Sequence, residues 1–208
     1  STRAAVDPST TKDDLEAFDV WAYMKTLNGT VLFDEDVELK GGSWDYENTQ
    51  YWVPSKPYYF AALAPMNSDN WDLDASKAVF DGGAGLLTFE NVDGSEDLIY
   101  ATAKVLTPDK QTLLDEGMES VKFQFQHLLS KVKFTFHNGF NTKNASIKVS
   151  NVTMTAPKEG TIDLGQGYDW ILGSEARTFE FGDAERVISK ADGMYNFSES
   201  EHERLTIP

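Results

Sequence analysis

Apolar and polar residues alternate along Val121 to Phe136, VKFQFQHLLSKVKFTF, with a fault in the middle of the pattern. Lys122, Gln124 and Gln126 separate Val121, Phe123 and Phe125, the period of a strand with one buried face. After His127-Leu128-Leu129-Ser130 the apolar positions resume at Val132, Phe134 and Phe136, one residue out of step. Such a slip turns every apolar side chain to the opposite face, so the chain bulges, turns or changes sheets here. The pattern predicts two strands joined through a tight HLLS corner, with His127 locking the corner by pairing with a neighbouring backbone group.

The same period recurs elsewhere. Phe18, Val20, Ala22 and Met24 alternate with Asp19, Trp21, Tyr23 and Lys25, and Asn28-Gly29 supplies a hairpin turn that returns Val31-Leu32-Phe33 beside them. Asp34-Glu35-Asp36 and Gly41-Gly42 read as loops around a short strand at Val37 and Leu39. Trp44 to Met66 is dense in aromatic residues, and Pro54, Pro57 and Pro65 cut it into extended pieces of edge-strand character. Gly82-Gly83-Ala84-Gly85 reads as a turn before an apolar run at Leu86, Leu87 and Phe89. Thr107 as N-cap and Pro108 as first helical residue open one or two helical turns that end at Gly117. Asn138-Gly139 is a second hairpin signal, and Ile147, Val149, Val152 and Met154 form a strand bulged at Ser150-Asn151.

Short strands at close spacing with little helix make the fold class all-β, an antiparallel β-sandwich. The pattern divides the chain into a flexible arm at 1–14, an N-terminal sandwich domain at 15–157 and a partial C-terminal β domain at 158–208. The strands expected in that last part, near Thr161 to Leu164, Asp169 to Leu172, Thr178 to Phe181 and Arg204 to Ile207, are too few to close a core alone.

A net charge of −16 over 208 residues makes nucleic acid an unsuitable partner. With no cysteine there is no disulfide, thiolate metal site or cysteine nucleophile. The longest apolar stretch, Tyr58 to Met66, is far shorter than the roughly 20 residues of a membrane helix. Asn70, Asp72 and Asp74 alternate like the opening of a calcium loop, but Ala75 stands where such a loop needs glycine and no glutamate closes it. Three histidines lie apart from any nucleophile or ligand spacing, and neither a catalytic motif nor a cofactor fingerprint is present. The sequons at Asn28, Asn144, Asn151 and Asn196 matter only in a host that glycosylates them. Trp44, Trp52 and Trp71 are the candidate ligand platform, since indole faces stack on sugar rings; burial in the sandwich competes for the same aromatic residues.

The run FQFQHLLSKVKFTF resembles the core motif of fimbrillin-like proteins, subunits of the type V pili of anaerobic gut and mouth bacteria. AFDVWAYM at 17–24, YWVPSKPYYFAALAP at 51–65 and DLIYAT at 97–102 are similar to further pieces of that family in the same order. The resemblance implies two sandwich domains of transthyretin-like topology, with HLLSKV in the core of the first. It also implies a lipoprotein precursor exported to the outer membrane, so that the only membrane contact is a lipid anchor. In polymerising members an arginine-specific protease removes the first strand, and the vacated groove accepts an extended segment of a neighbouring subunit, completing a sheet by main-chain hydrogen bonds. Arg3, the only arginine before Arg177, resembles the cleavage arginine. RLTIP at 204–208 looks like the opening of a strand that continues into the second domain, as in a processed or truncated piece of a longer precursor. The implied function is a structural or accessory pilus subunit at the cell surface, with other pilus subunits as partners, no cofactor and no enzymatic activity. The alternative is a tip adhesin that binds host or bacterial surface glycans through the aromatic stretch.

Overall fold

A computed structural model of the chain describes residues 15–24, 30–65, 78–141, 144–165, 167, 169–182, 185–189, 194–197 and 204–208. The Asn28-Gly29 turn, Arg3, Trp71 and the Asn70-Asp72-Asp74 triplet lie outside these residues. In chain order the first elements are β1 (Ala17–Tyr23), β2 (Val31–Lys40), β3 (Ser43–Tyr46), β4 (Pro57–Pro65), β5 (Ala78–Asp81), β6 (Leu86–Glu90) and β7 (Leu98–Leu106). The helix α1 (Lys110–Glu116) precedes β8 (Gln126–His127), β9 (Ser130–Val132), β10 (Phe134–His137), β11 (Ser146–Ser150) and β12 (Thr153–Pro157). The last are β13 (Glu159–Asp163), β14 (Trp170–Leu172), β15 (Ala176–Glu180), β16 (Glu185–Ser189), β17 (Met194–Phe197) and β18 (Arg204–Thr206).

The β-sandwich is formed by a six-stranded antiparallel sheet, β3-β2-β1-β4-β7-β8, packed on a four-stranded one, β14-β13-β6-β5. Trp21 and Tyr23 of β1, Leu63 of β4 and Tyr100 of β7 face Leu87 and Phe89 of β6 and Ile162 of β13 in the inter-sheet core. The intervening residues of the same strands, Phe18, Val20, Phe60, Ala62 and Ile99, are buried on the opposite face. Both faces of the large sheet are therefore apolar, which is why β1 holds Trp21 and Tyr23 where a half-exposed strand would carry polar side chains.

Several elements depart from the sequence pattern. Val31 to Lys40 is one strand, with no loop at Asp34-Glu35-Asp36, because Phe33, Glu35 and Val37 keep the period of the buried face while Asp34, Asp36 and Glu38 point away. The Gly41-Gly42 turn after it takes φ of +61° and +85°, backbone that suits glycine, and returns the chain as β3. β4 is central, paired with β1 and β7, and its prolines stand at its two ends, where fewer ladder bonds are lost. The N-cap of α1 is Asp109, whose carboxylate accepts from the Gln111 and Thr112 amides; the Thr107 hydroxyl instead donates to the Val53 carbonyl and accepts from the Lys56 amide. Asn138-Gly139 does not close a hairpin, since β10 pairs with β17 and β11 with β16; buried Asn138 donates to the Ala145 and Ile188 carbonyls and pins a corner.

At the HLLS corner the chain changes sheets. His127 pairs with Ile99 at the end of the six-stranded sheet, Leu128 and Leu129 cross the inter-sheet core, and Ser130–Val132 pairs with β18. His127 is pinned by a side chain: its Nδ1 donates to Asp97 Oδ2 at 2.5 Å. Beyond the corner, the antiparallel pairs β11–β16, β12–β15 and β13–β14 follow one another as a long hairpin, whose first arm breaks between β11 and β12 at Asn151, φ +52°. Its tip, β13 and β14, joins β6, and there Gly160 is required because a Cβ would stand 2.9 Å from the Trp170 ring. Ile162, Leu164 and Ile207 complete the inter-sheet core, so strands too few to enclose a core of their own pack into this one.

Candidate functional site

The outer face of the six-stranded sheet carries the main concavity among the described residues, an open groove of about 1390 Å³. Its floor is built by alternation on three neighbouring strands: Phe18 and Val20 from β1, Val37 from β2, Tyr58 and Phe60 from β4. One wall comes from β3 and the turn after it. Trp44 lies 43% exposed with its ring edge-on to Phe18 at 5.1 Å, and Trp52 packs edge-on against Tyr58 at 4.8 Å, while Tyr51 beside them is 87% exposed.

The opposite wall is residues 118–125, which the alternation of Val121, Phe123 and Phe125 predicts as a strand. The alternation is real, since those three side chains face inward, yet only Gln126 and His127 pair with β7. Phe125 meets the Phe18 ring at 5.4 Å and Phe123 meets it at 5.6 Å. A strand continuing β8 along β7 would lie about three strand spacings, or roughly 14 Å, from β1, too far for those ring contacts. The segment has left the sheet edge and crosses the face. In consequence the outer edge of β7 from Ala101 to Leu106 has no ladder partner among the described residues.

A second open edge borders the groove. β3 pairs only with Val37 to Lys40 of β2, so the outer edge of β2 from Val31 to Asp36 also lacks a ladder partner among the described residues. On its groove face sits Glu35, only 8% exposed, whose Oε2 accepts from the Asn48 amide at 3.1 Å. The other face carries Asp34 and Asp36. Burial pushes the Asp34 carboxyl above its ordinary value against a lowering hydrogen bond from Trp21, and the nearby Asp36 and Glu35 charges push it further up.

The described residues of this arrangement present apolar and aromatic surface around one buried carboxylate, which suits binding. Trp44 and Trp52 of the aromatic candidates line the same groove, one against Phe18 and the other against Tyr58. Sequence reasoning missed Glu35, which was assigned to a loop, although the unbroken alternation Phe33, Glu35, Val37 would have placed it on the buried face. His127 and Ile99 close one end of the groove. Among the described residues there is no group of three or more potential metal-ligating side chains, and no helix is long and apolar enough to cross a membrane.

A family model described as fimbrillin-like matches residues 2–189 of the chain. Comparison with curated proteins and comparison with solved structures each gave no match.

Proposed function

The chain belongs to the fimbrillin-like family of pilus subunits, and from that premise we propose that it is a structural or accessory subunit of a type V pilus, assembled at the cell surface by strand addition. The groove carries this reading. A sheet face with Phe18, Val20 and Phe60 on its floor is covered only by an aromatic wall and an unladdered segment, beside two sheet edges without partners among the described residues. Natural proteins cover or charge such edges unless another chain is meant to pair with them; Lys104 is the only charge on the β7 edge, whereas Asp34, Glu35 and Asp36 charge the β2 edge and restrict which strand can pair there. The volume exceeds the roughly 300–1,000 Å³ usual for small-molecule pockets, and an open trough suits an extended peptide better than a compact ligand.

The test is to treat the full-length gene product with an arginine-specific protease, reading the new N-terminus by mass spectrometry and the particle size by light scattering. Cleavage after Arg3 followed by growth of oligomers supports a polymerising subunit. Cleavage without growth, in several buffers, removes the assembly reading. A second reading, a glycan-binding tip adhesin, draws on the exposure of Trp44 and Tyr51 at the groove mouth. It predicts that Trp44→Ala abolishes binding on a glycan array while leaving assembly intact.

A further inference from the structure

The free half of β2 differs from an ordinary edge in its charge. Asp34 and Asp36 stand on one face of it, Glu35 on the other, and the only cation on the strand, Lys40, is already paired with Glu38. Carboxylates on both faces repel an incoming strand of neutral or acidic sequence, because each would be desolvated without a counter-charge. Glu35 is the most demanding of them. It is almost fully buried among apolar side chains, and its hydrogen-bond partner among the described residues is the neutral amide of Asn48, which belongs to an exposed segment that makes no ladder bonds with β2.

We propose that the strand accepted by this protein adds along Val31 to Asp36 of β2 and presents a lysine or arginine to Glu35, displacing the Asn48 amide. This rests on the strand-accepting reading and adds the place and the chemistry of the partner. An added strand places alternate side chains over Phe33 and Glu35 on the groove face, so its groove-facing residues are apolar except for one cation. Residues on its other face run beside Asp34 and Asp36 and are basic as well. The ion pair with Glu35 forms inside an apolar groove, where a charge-assisted hydrogen bond is about twice as strong as a neutral one. Asn48 is then a placeholder that satisfies Glu35 in the free subunit.

Two fluorescein-labelled octapeptides test this: in one, lysine fills the odd positions and position 4 while valine fills positions 2, 6 and 8, and in the other glutamate replaces every lysine; both are titrated against the intact chain by fluorescence anisotropy at near-physiological salt. The lysine peptide is expected to bind and the glutamate peptide not. Glu35→Gln weakens the lysine peptide about tenfold. Asp115→Asn, which removes the same charge from α1 outside the groove lining, leaves it unchanged, and Asn48→Ala tightens it. Hydrogen exchange with the peptide bound protects amides 31–36. Equal losses in Glu35→Gln and Asp115→Asn reduce the effect to bulk charge and overturn the proposal. Protection of 101–106 in place of 31–36, equal affinity for both peptides, or no binding of either does the same. Assembly of the protease-treated protein that proceeds unchanged in Glu35→Lys rejects this partner chemistry while leaving strand addition standing; no assembly of the wild type rejects strand addition itself.

Discussion

Tyr23 shows how a single residue ties the two sheets together. Its ring is fully buried in the inter-sheet core and its hydroxyl donates to the Gly82 carbonyl at 2.9 Å, joining β1 to the turn after β5. Burial, reinforced by the charges of Asp34 and Asp81, pushes the phenol up from 10.0 to about 12. A group that holds its proton more tightly when folded stabilises fully below its unfolded pKa and loses that stabilisation as pH rises through the folded one. The window here is therefore about pH 10 to 12. Tyr23→Phe should cost about 1–3 kcal/mol near pH 8 by leaving the Gly82 carbonyl unpaired, and should lack the extra alkaline loss of the wild type. Urea melts of both proteins across that window check this, and parallel alkaline losses would place the titrating group elsewhere. The His127–Asp97 contact gives a second residue-scale prediction. Both side chains are mostly buried, so His127→Ala should cost about 2–3 kcal/mol, and a double-mutant cycle with Asp97→Asn should show coupling of at least about 1 kcal/mol in chemical denaturation. Additive losses would make the contact incidental. That His127 locks the corner was legible from its place at the slip of period. Its partner was not, since Asp97 lies thirty residues away and only the pairing of β7 with β8 brings the two together.

At the scale of elements, alternation told faithfully which side chains turn inward and less faithfully which backbones pair. It foresaw β1, the slip at Ser150-Asn151, which is a break between β11 and β12 rather than a bulge within one strand, and the fault at HLLS, all of them local consequences of period two. It failed for residues 118–125, where two tertiary demands compete. Pairing with β7 would add a few ladder bonds, each with a net value of about 0.5–1.5 kcal/mol. Crossing the face instead covers Phe18 and Phe60 with Phe123 and Phe125, and burying one such ring contributes about 1.5–3 kcal/mol. The terms are of similar size, so the segment is poised between crossing the groove and zipping onto the edge. In the zipped register Phe125, Phe123 and Val121 would lie beside Ala101, Ala103 and Val105 on the same face, and no side chain would have to change sides. Phe123→Ala should therefore cost less than a full core truncation, about 2 kcal/mol, and tilt the segment toward the edge. Hydrogen exchange should then slow at amides 101–106, while acrylamide quenching of Trp52 should increase as the groove opens. Faster exchange at 101–106 would show that the segment already shields that edge.

Charge organises the molecule as a whole, unevenly. Residues 120–158 contain six lysines and no aspartate or glutamate, whereas all 34 carboxylates and the other twelve cations lie outside that stretch. The fold lays this basic stretch against acidic chain: Lys148 pairs with Glu185 across the hairpin, and Lys158 reaches Glu175 and Glu90. These pairs are largely exposed and individually weak, so they do not offset the repulsion of a protein carrying −16. Two copies approaching each other meet that repulsion, which added salt screens; the Debye length falls from about 30 Å at 0.01 M to 8 Å at 0.15 M. Capture of a basic strand at β2 responds in the opposite sense, because salt weakens the attraction of lysines for Asp34, Glu35 and Asp36. The rate of oligomer growth followed by light scattering should thus rise between about 0.01 and 0.15 M salt, while the affinity for the lysine peptide falls over the same range. If both fall together, encounter of the subunits is itself driven by attraction between opposite charges, and the acidic surface is part of the docking face. If both rise, Glu35 receives no cation and the added strand is held by apolar side chains and main-chain bonds alone.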